Sequence, residues 1–391
     1  MEGKTFRTAG QGARRCRCSC REQKGCAMRL AVLGAGAVGP GIAALAASRG
    51  HEVAIWSPSG AGTAGLGDSI EAEGLLAGRF PLRVARDLPD ALGDAEAAVL
   101  AVPAYAFPAL LPRIAAALPA HVPLLISPAS SLAPLAFEAL MAGHGHRAPV
   151  GCLGTTPIGG RRTAPDRVRV AMIRSALDIA AIPADRAPEM AALAETLFGN
   201  RYIPVRDALA VALVGSNPII HGVLALTNLT RIEKREAWPQ YEMMTEAACR
   251  MMTAMDAERA ALAASFGLEV PSLPTLLHRA NGVPLGPMHE MAAAIAAGRG
   301  AVYGPTDLGN RYVTEDVPYG LVFYLRLAAA QGVAMPVTAA CATALAAASG
   351  GALDVNPLLD GLDLSALDQQ LRHGIGRVDK PAPKGGYCNA P

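Results

Sequence analysis

The chain has 391 residues and a net charge of +2, with 17% charged, 51% apolar and only 4% aromatic residues. That length suits two domains with sizeable cores, and a near-neutral chain with no basic stripe interleaved with aromatics carries no nucleic-acid signature. The apolar run at 97–112 is too short for a bilayer and contains Pro103, Pro108 and Pro112, while the uncharged stretches at 114–137 and 327–353 are interrupted by Pro, Ser or Gly, so no membrane span is expected.

Residues 1–27 place Cys16, Cys18, Cys20 and Cys26 among Arg and Lys, without the apolar core of a secretory signal. Their spacing lacks the paired two-residue knuckles of a structural zinc site. A disordered leader is expected, or sequence upstream of a start at Met28. Cys152, Cys249, Cys341 and Cys388 are scattered, which suits a reducing cytoplasm rather than a disulfide framework.

Arg29–Leu33 reads as a strand running straight into Gly34-Ala35-Gly36-Ala37-Val38-Gly39, and an alanine-rich helix at 41–49 and a second strand at Glu52–Trp56 follow. A lone GxGxxG is weak, but here its flanking elements are those a dinucleotide site needs. Gly34 permits the tight turn, Gly36 lets backbone approach a pyrophosphate, and Gly39 lets helix and strand pack. The turn backbone through Ala37 and Val38 then presents free N–H groups and a positive helix end to the phosphates. The second strand ends at Ser57, where an NAD site usually carries Asp or Glu for the ribose 2′-hydroxyl. A small neutral residue removes repulsion toward a 2′-phosphate and tilts the expectation from NAD(H) toward NADP(H), although no arginine follows to grip that phosphate. Further strand patterns at 97–102, 124–127, 150–156, 167–173 and 201–205, with a helix near 188–198, extend one doubly wound parallel sheet to about residue 206. Pro103, closing the 97–102 run, falls where the chain covers the far side of the cofactor.

From Asp207 the apolar period becomes helical. The long run at 209–235 is broken by Pro218 and holds His221 in mid-pattern, preceded by Asn217. Alone, such a histidine reads as core packing. About ninety residues later Arg311-Tyr-Val-Thr-Glu-Asp316-Val-Pro-Tyr-Gly-Leu321 sets an arginine, an aspartate and a glycine turn in one short segment. A histidine paired with a carboxylate is held in one tautomer with its protonated form stabilised, as a general acid/base near neutral pH requires.

Asn217-Pro218-Ile219-Ile220-His221 matches the N-P-x-x-H helix of the opine (octopine/nopaline) dehydrogenases, and Arg311, Tyr312, Glu315 and Asp316 match their R-Y-x-x-E-D segment. With the glycine motif and a helix and turn at 255–271, the chain resembles that family from about residue 29 to 345. The resemblance implies an N-terminal Rossmann-type α/β domain, a doubly wound parallel sheet, at 28–206. An all-α domain resembling the C-terminal part of 6-phosphogluconate dehydrogenase follows at 207–373, between a leader at 1–27 and a disordered tail at 374–391. It implies reductive condensation of an α-keto acid with an amino acid's amine, through an imine reduced by NAD(P)H. His221 is then the acid/base, Asp316 its partner, and Arg311 an arginine that draws cofactor and domains together.

Thr156-Pro157-Ile158-Gly159-Gly160-Arg161 replaces the family's frequent T-x-P-Y-x-x-R and loses its aromatic, and residues 238–249 replace a stretch richer in glycine and aromatics, though Glu242 and Thr245 match. The amino-donor pocket is therefore expected to differ. Thr156, Asn217 and Arg161 are the substrate-side candidates. Arg161 or Arg162 is also placed to fork a keto-acid carboxylate. The partners expected are these small molecules and at most a second copy of the chain. His144 and His146 read as loop residues and the methionines at 243–255 as core packing. A ketopantoate-reductase-like or 3-hydroxyacid dehydrogenase and a silent NAD(P)-binding regulator remain the alternatives. The first typically uses a lysine in the helical half, and Lys234, in a charged surface run, is the only one between the glycine motif and Lys380.

Overall fold

The computed structural model describes residues 27–144, 149–299, 301–351 and 353–375. The cysteine-rich leader, His146 and nearly all of the 374–391 tail lie outside the described residues. In chain order the strands are β1 (Arg29–Leu33), β2 (Glu52–Trp56), β3 (Ser69–Gly74), β4 (Gly78–Pro81), β5 (Arg83–Val84), β6 (Ala97–Leu100), β7 (Leu124–Ile126), β8 (Val150–Leu153), β9 (Ile158–Ala164), β10 (Arg167–Ile173), β11 (Ala176–Ile182) and β12 (Arg201–Pro204).

Uninterrupted apolar runs such as Ala97–Leu100 and Leu124–Ile126 must be covered on both faces. They form the centre of an eight-stranded sheet of order β12-β11-β8-β7-β6-β1-β2-β5. From β5 to β8 every pairing is parallel, as expected. Two corrections apply beyond that. β11 runs antiparallel to β8, and β12 follows β11 in parallel, so the sheet is mixed at one edge. Arg167–Ile173 leaves this sheet altogether and joins a second one, of order β4-β3-β10-β9. The reason is in its alternation: Val168 and Val170 are buried while Arg167 and Arg169 are exposed. A strand of that period covers one apolar face only, and a two-sided core cannot hold it.

Alternation along each strand also divides the core. Ala31, Leu33, Ala98, Leu100, Leu124 and Ile126 face one side and continue into the helical half. Leu30, Val32, Val53, Ile55, Val99 and Leu125 face the other, where Ile42–Ala46 of the Gly39–Ser48 helix and the second sheet pack.

The helical half begins four residues after β12. Its long apolar run is three helices, Ala208–Ala212, Asn217–Thr227 and Leu229–Glu233, and Pro218 starts the second rather than breaking it. A proline in the first turn costs no hydrogen bond, because that N–H has no helical partner in any case. Residues 208–227 reach the length and hydropathy of a membrane span, and half of them are buried inside the protein. Behind the run lies Glu246–Ser265, which carries Arg259 with no exposed surface. Arg259 pairs with Asp256 at 2.6 Å and donates to the carbonyls of Leu213 and Pro271. The family-like 255–271 segment thus pins the turn from which Asn217 emerges.

Candidate active site

Between β1 and its helix the glycines act in different ways. Gly34 has φ +125, a backbone region closed to most side chains, and a Cβ there would strike the Ala101 carbonyl. A Cβ on Gly39 would collide with the Gly34 carbonyl, so the turn folds onto itself at that point. A Cβ on Gly36 would meet nothing within 4 Å. Gly36 therefore leaves open the space a pyrophosphate needs, and no side chain caps the Gly39–Ser48 helix next to it. The residues present fit a dinucleotide, with Gly34, Gly36, Ala37, Val38 and Gly39 as its cradle.

Ser57 is buried at the end of β2, and its Oγ accepts from the Gly62 N–H at 3.2 Å. The stretch from Ser57 to Gly65 contains no acid. Arg162 reaches this corner from β9 and donates to the carbonyls of Ala35 and Gly62. Arg161 is exposed on the second sheet, paired in register with Arg169. Both arginines were candidates for a substrate carboxylate. Neither lines the cleft described below, because residues 158–164 form a strand of the second sheet. Thr156 is likewise engaged elsewhere, its Oγ1 donating to the Ile158 carbonyl at 2.6 Å. Its neighbour Thr155 lines the cleft instead.

The cleft is a cavity of about 610 Å³ along the C-terminal ends of β6, β7 and β8, closed from the other side by helices. Asn217, Arg311, Glu315 and Asp316 are part of its wall. His221 stands one layer behind them, on the buried face of the Asn217–Thr227 helix. Its Nδ1 is 2.8 Å from Asp316 Oδ2, and the two side chains are only 11% and 9% exposed. No protein group among the described residues hydrogen-bonds Nε2.

Two small residues bring this pair together. Asp316 opens a wide turn whose carbonyl accepts from the Leu321 N–H, five residues on. On that turn a Cβ at Gly320 would collide with Pro218, and a Cβ at Gly222 would meet Leu321 at 3.0 Å. The turn and the helix touch because both lack side chains where they cross.

Tyr312 lies flat on the imidazole of His221, centroids 3.6 Å apart and planes 7° from parallel. Its hydroxyl donates to Gln240. Burial, reinforced by the Asp316 charge, pushes that phenol up to about 12, so it stays a neutral donor. Glu315 faces the sheet: its Oε1 accepts from the Ala104 N–H at 2.9 Å, just after Pro103 at the end of β6. Its Oε2 is buried without a hydrogen bond, and the Arg311 Nε lies 3.5 Å away. Burial raises the Glu315 carboxyl above its ordinary range against the pull of Arg311. Arg311 is half exposed and opens on the cleft.

Motif reading found His221, Asp316, Asn217 and Arg311 but gave no role to the Tyr312 ring or the Glu315 link to Ala104. It missed Arg174, Asp178 and Arg279, which also line the cleft. The one sequence signal for the crossing was the glycine of Tyr319-Gly320-Leu321.

Residues 204–349 match the family described as NAD/NADP octopine/nopaline dehydrogenase, alpha-helical domain. Residues 29–128 match the family described as NAD-dependent glycerol-3-phosphate dehydrogenase N-terminus. The chain is 29% identical over 318 residues to an opine dehydrogenase of Arthrobacter sp. (strain 1C), spanning 78% of this chain and 87% of that one. It is 26% identical over 326 residues to a vitopine synthase of Allorhizobium ampelinum, at 79% and 87% coverage. Its fold is similar to that of an octopine dehydrogenase solved with NADH and L-arginine, with a TM-score of 0.71 at 19% identity over 88% of this chain and 98% of the other.

Proposed function

We propose that this chain, an NAD(P)-dependent oxidoreductase whose residues 204–349 match the octopine/nopaline dehydrogenase helical domain, is an opine dehydrogenase that condenses an α-keto acid with the amino group of an amino acid. The observation that carries this reading is the buried His221–Asp316 pair, set at the wall of a cleft along the C-terminal ends of β6, β7 and β8.

The amine adds to the keto carbon, water leaves to give an imine, and reduction yields a secondary amine dicarboxylate. The bound nicotinamide supplies the hydride. This chain's own residues supply the proton and the alignment. His221, protonated, polarises the keto oxygen through Nε2 and gives its proton to the departing hydroxyl. Asp316 accepts from Nδ1–H, which fixes the tautomer and stabilises the imidazolium. Asn217, at the start of the same helix, lines the cleft with Arg311, which would offer a cation to the dinucleotide. The reverse oxidation uses the same groups, with His221 as base. Lys234 cannot substitute for them, because it is exposed at the end of the Leu229–Glu233 helix.

The test is loss of reduced cofactor with purified protein, pyruvate or a related keto acid, and a panel of amino acids. Oxidation of NADPH or NADH that needs both keto acid and amine is the expected result. Oxidation with the keto acid alone would instead mark a hydroxyacid dehydrogenase.

A further inference from the structure

The cleft continues past the dyad. Beyond β8 its wall is made by the β10–β11 turn, by β11 itself and by the Leu273–Asn281 helix, and the polar side chains there are Arg174, Asp178 and Arg279. Arg174 is half-buried and its Nε donates to the Thr156 carbonyl at 3.0 Å. Among the described residues no carboxylate lies within ion-pair reach of its guanidinium, and its two terminal nitrogens hydrogen-bond nothing in the protein. Asp178 sits on β11, where its main-chain carbonyl accepts from the Gly154 N–H. Its carboxylate has neither a cation nor a hydrogen-bond donor among the described residues. An arginine and an aspartate that line one cavity yet do not pair with each other leave a gap between opposite charges.

We propose that Arg174 and Asp178 bind the amino donor as a zwitterion, Arg174 taking its α-carboxylate and Asp178 its ammonium, whose extra proton passes to the Asp178 carboxylate so that the neutral amine can attack the keto carbon. The inference rests on the condensation reading and adds which two side chains hold the charged groups of the amino acid. Three facts favour it. The charges are complementary in sign to an amino acid and unpartnered. A guanidinium offers a planar carboxylate two parallel N–H bonds, which suits an α-carboxylate better than a lone ammonium would. The position is also right: β11 lies two strands beyond β7, roughly 10 Å at ordinary strand spacing. The keto acid can then occupy the β7–β8 edge near the dyad while the donor approaches from the β11 side. Burial lowers the affinity of the Arg174 guanidinium for its proton, which is consistent with an uncompensated cation. Arg279, exposed at the rim, adds positive field at the mouth without belonging to the pair.

The experiment compares each common amino acid with its decarboxylated amine in keto-acid-dependent NAD(P)H oxidation, for wild type, Arg174→Met, Arg174→Lys and Asp178→Asn. NAD(P)H affinity is titrated separately by cofactor fluorescence. In Arg174→Met the KM for the amino acid should rise roughly 10- to 100-fold, the scale of one charge-assisted hydrogen bond. The KM for the decarboxylated amine, the KM for the keto acid and the affinity for NAD(P)H should stay as in wild type. Arg174→Lys should recover part of the preference for the amino acid. Asp178→Asn should raise the donor KM for amino acid and amine alike. An Arg174→Met enzyme that condenses substrates and keeps the wild-type preference would overturn the anchor and leave the condensation standing. A wild type that oxidises NAD(P)H with keto acid but with no amine would remove the condensation reading and the anchor with it.

Discussion

The glycine turn after β1 and the His221–Asp316 pair are made of different materials. The cradle is main chain: its shape follows from the Gly34 φ, from contacts a Cβ on Gly34 or Gly39 would violate, and from an uncapped helix end. Its glycines lie close together at positions 34, 36 and 39, with Gly34 set against the Ala101 carbonyl. The dyad is side chain, and its partners are 95 positions apart. It exists only because Gly320 and Gly222 let a wide turn rest on a helix, and because Tyr312 covers the imidazole. A main-chain site tolerates changes in its surroundings and fails when a side chain is added to it. A side-chain site fails when one member is removed, while the backbone around it stands.

That contrast is broken most directly at His221. His221→Ala should cut turnover by about 10²- to 10⁴-fold, the usual contribution of a positioned acid/base, and leave NAD(P)H binding as it was. Loss of cofactor affinity in the variant, seen by fluorescence titration, would show that the two sites are not separable.

The converse lies at the glycines, where two neighbours should part company. Gly39→Ala forces a methyl group into the Gly34 carbonyl and should cost about 1–3 kcal/mol of stability, as overpacking does, along with cofactor binding. Gly36→Ala has open space around it, so the melting temperature should hold while NAD(P)H affinity falls. Equal losses of stability in thermal denaturation would refute the distinction drawn between them.

Tyr312 should give a smaller effect. Tyr312→Leu removes a stacked ring, worth about 0.5–1.5 kcal/mol, and frees the imidazole to rotate. The pH profile of kcat should shift and kcat should fall several-fold. Tyr312→Phe keeps the ring, loses only the hydroxyl's bond to Gln240, and should stay close to wild type. If the two variants behave alike, the hydroxyl matters and not the stack.

The smallest effect expected is on stability at Glu315. Burial holds its carboxyl above the ordinary 4.5, so the folded chain binds that proton more tightly than the unfolded chain does. This contribution to stability is complete below pH 4.5 and disappears as pH rises through the raised value. Glu315→Gln cannot titrate and still offers an oxygen to the Ala104 N–H. Its melting temperature should therefore fall less than that of wild type between pH 4.5 and neutrality. Parallel curves would mean that Glu315 is charged in the folded protein throughout.

Much of the fold was legible because its signals are local. β1, the glycine turn and β2 declare themselves within thirty residues, and continuous apolar runs mark the strands covered on both faces. The second sheet was misassigned although Val168 and Val170 alternate with Arg167 and Arg169, a pattern that belongs to a one-sided strand. The error moved Arg161 and Arg162 from a strand near the cofactor corner to an imagined substrate loop. β11 was missed because Asp178 interrupts its apolar run, and that aspartate faces the cleft.

By itself, the sequence determined the glycine turn after β1, the change from strand to helix after residue 206, and the residue types of the His221–Asp316 pair. Each of these depends on contacts between near neighbours along the chain. Tertiary structure alone decided which arginines line the cleft, which ring covers His221, and how Glu315 reaches Ala104 from 211 positions away. Those outcomes depend on where a sheet edge and a helix meet, and that geometry is set by the packing of two cores that no short window of sequence contains.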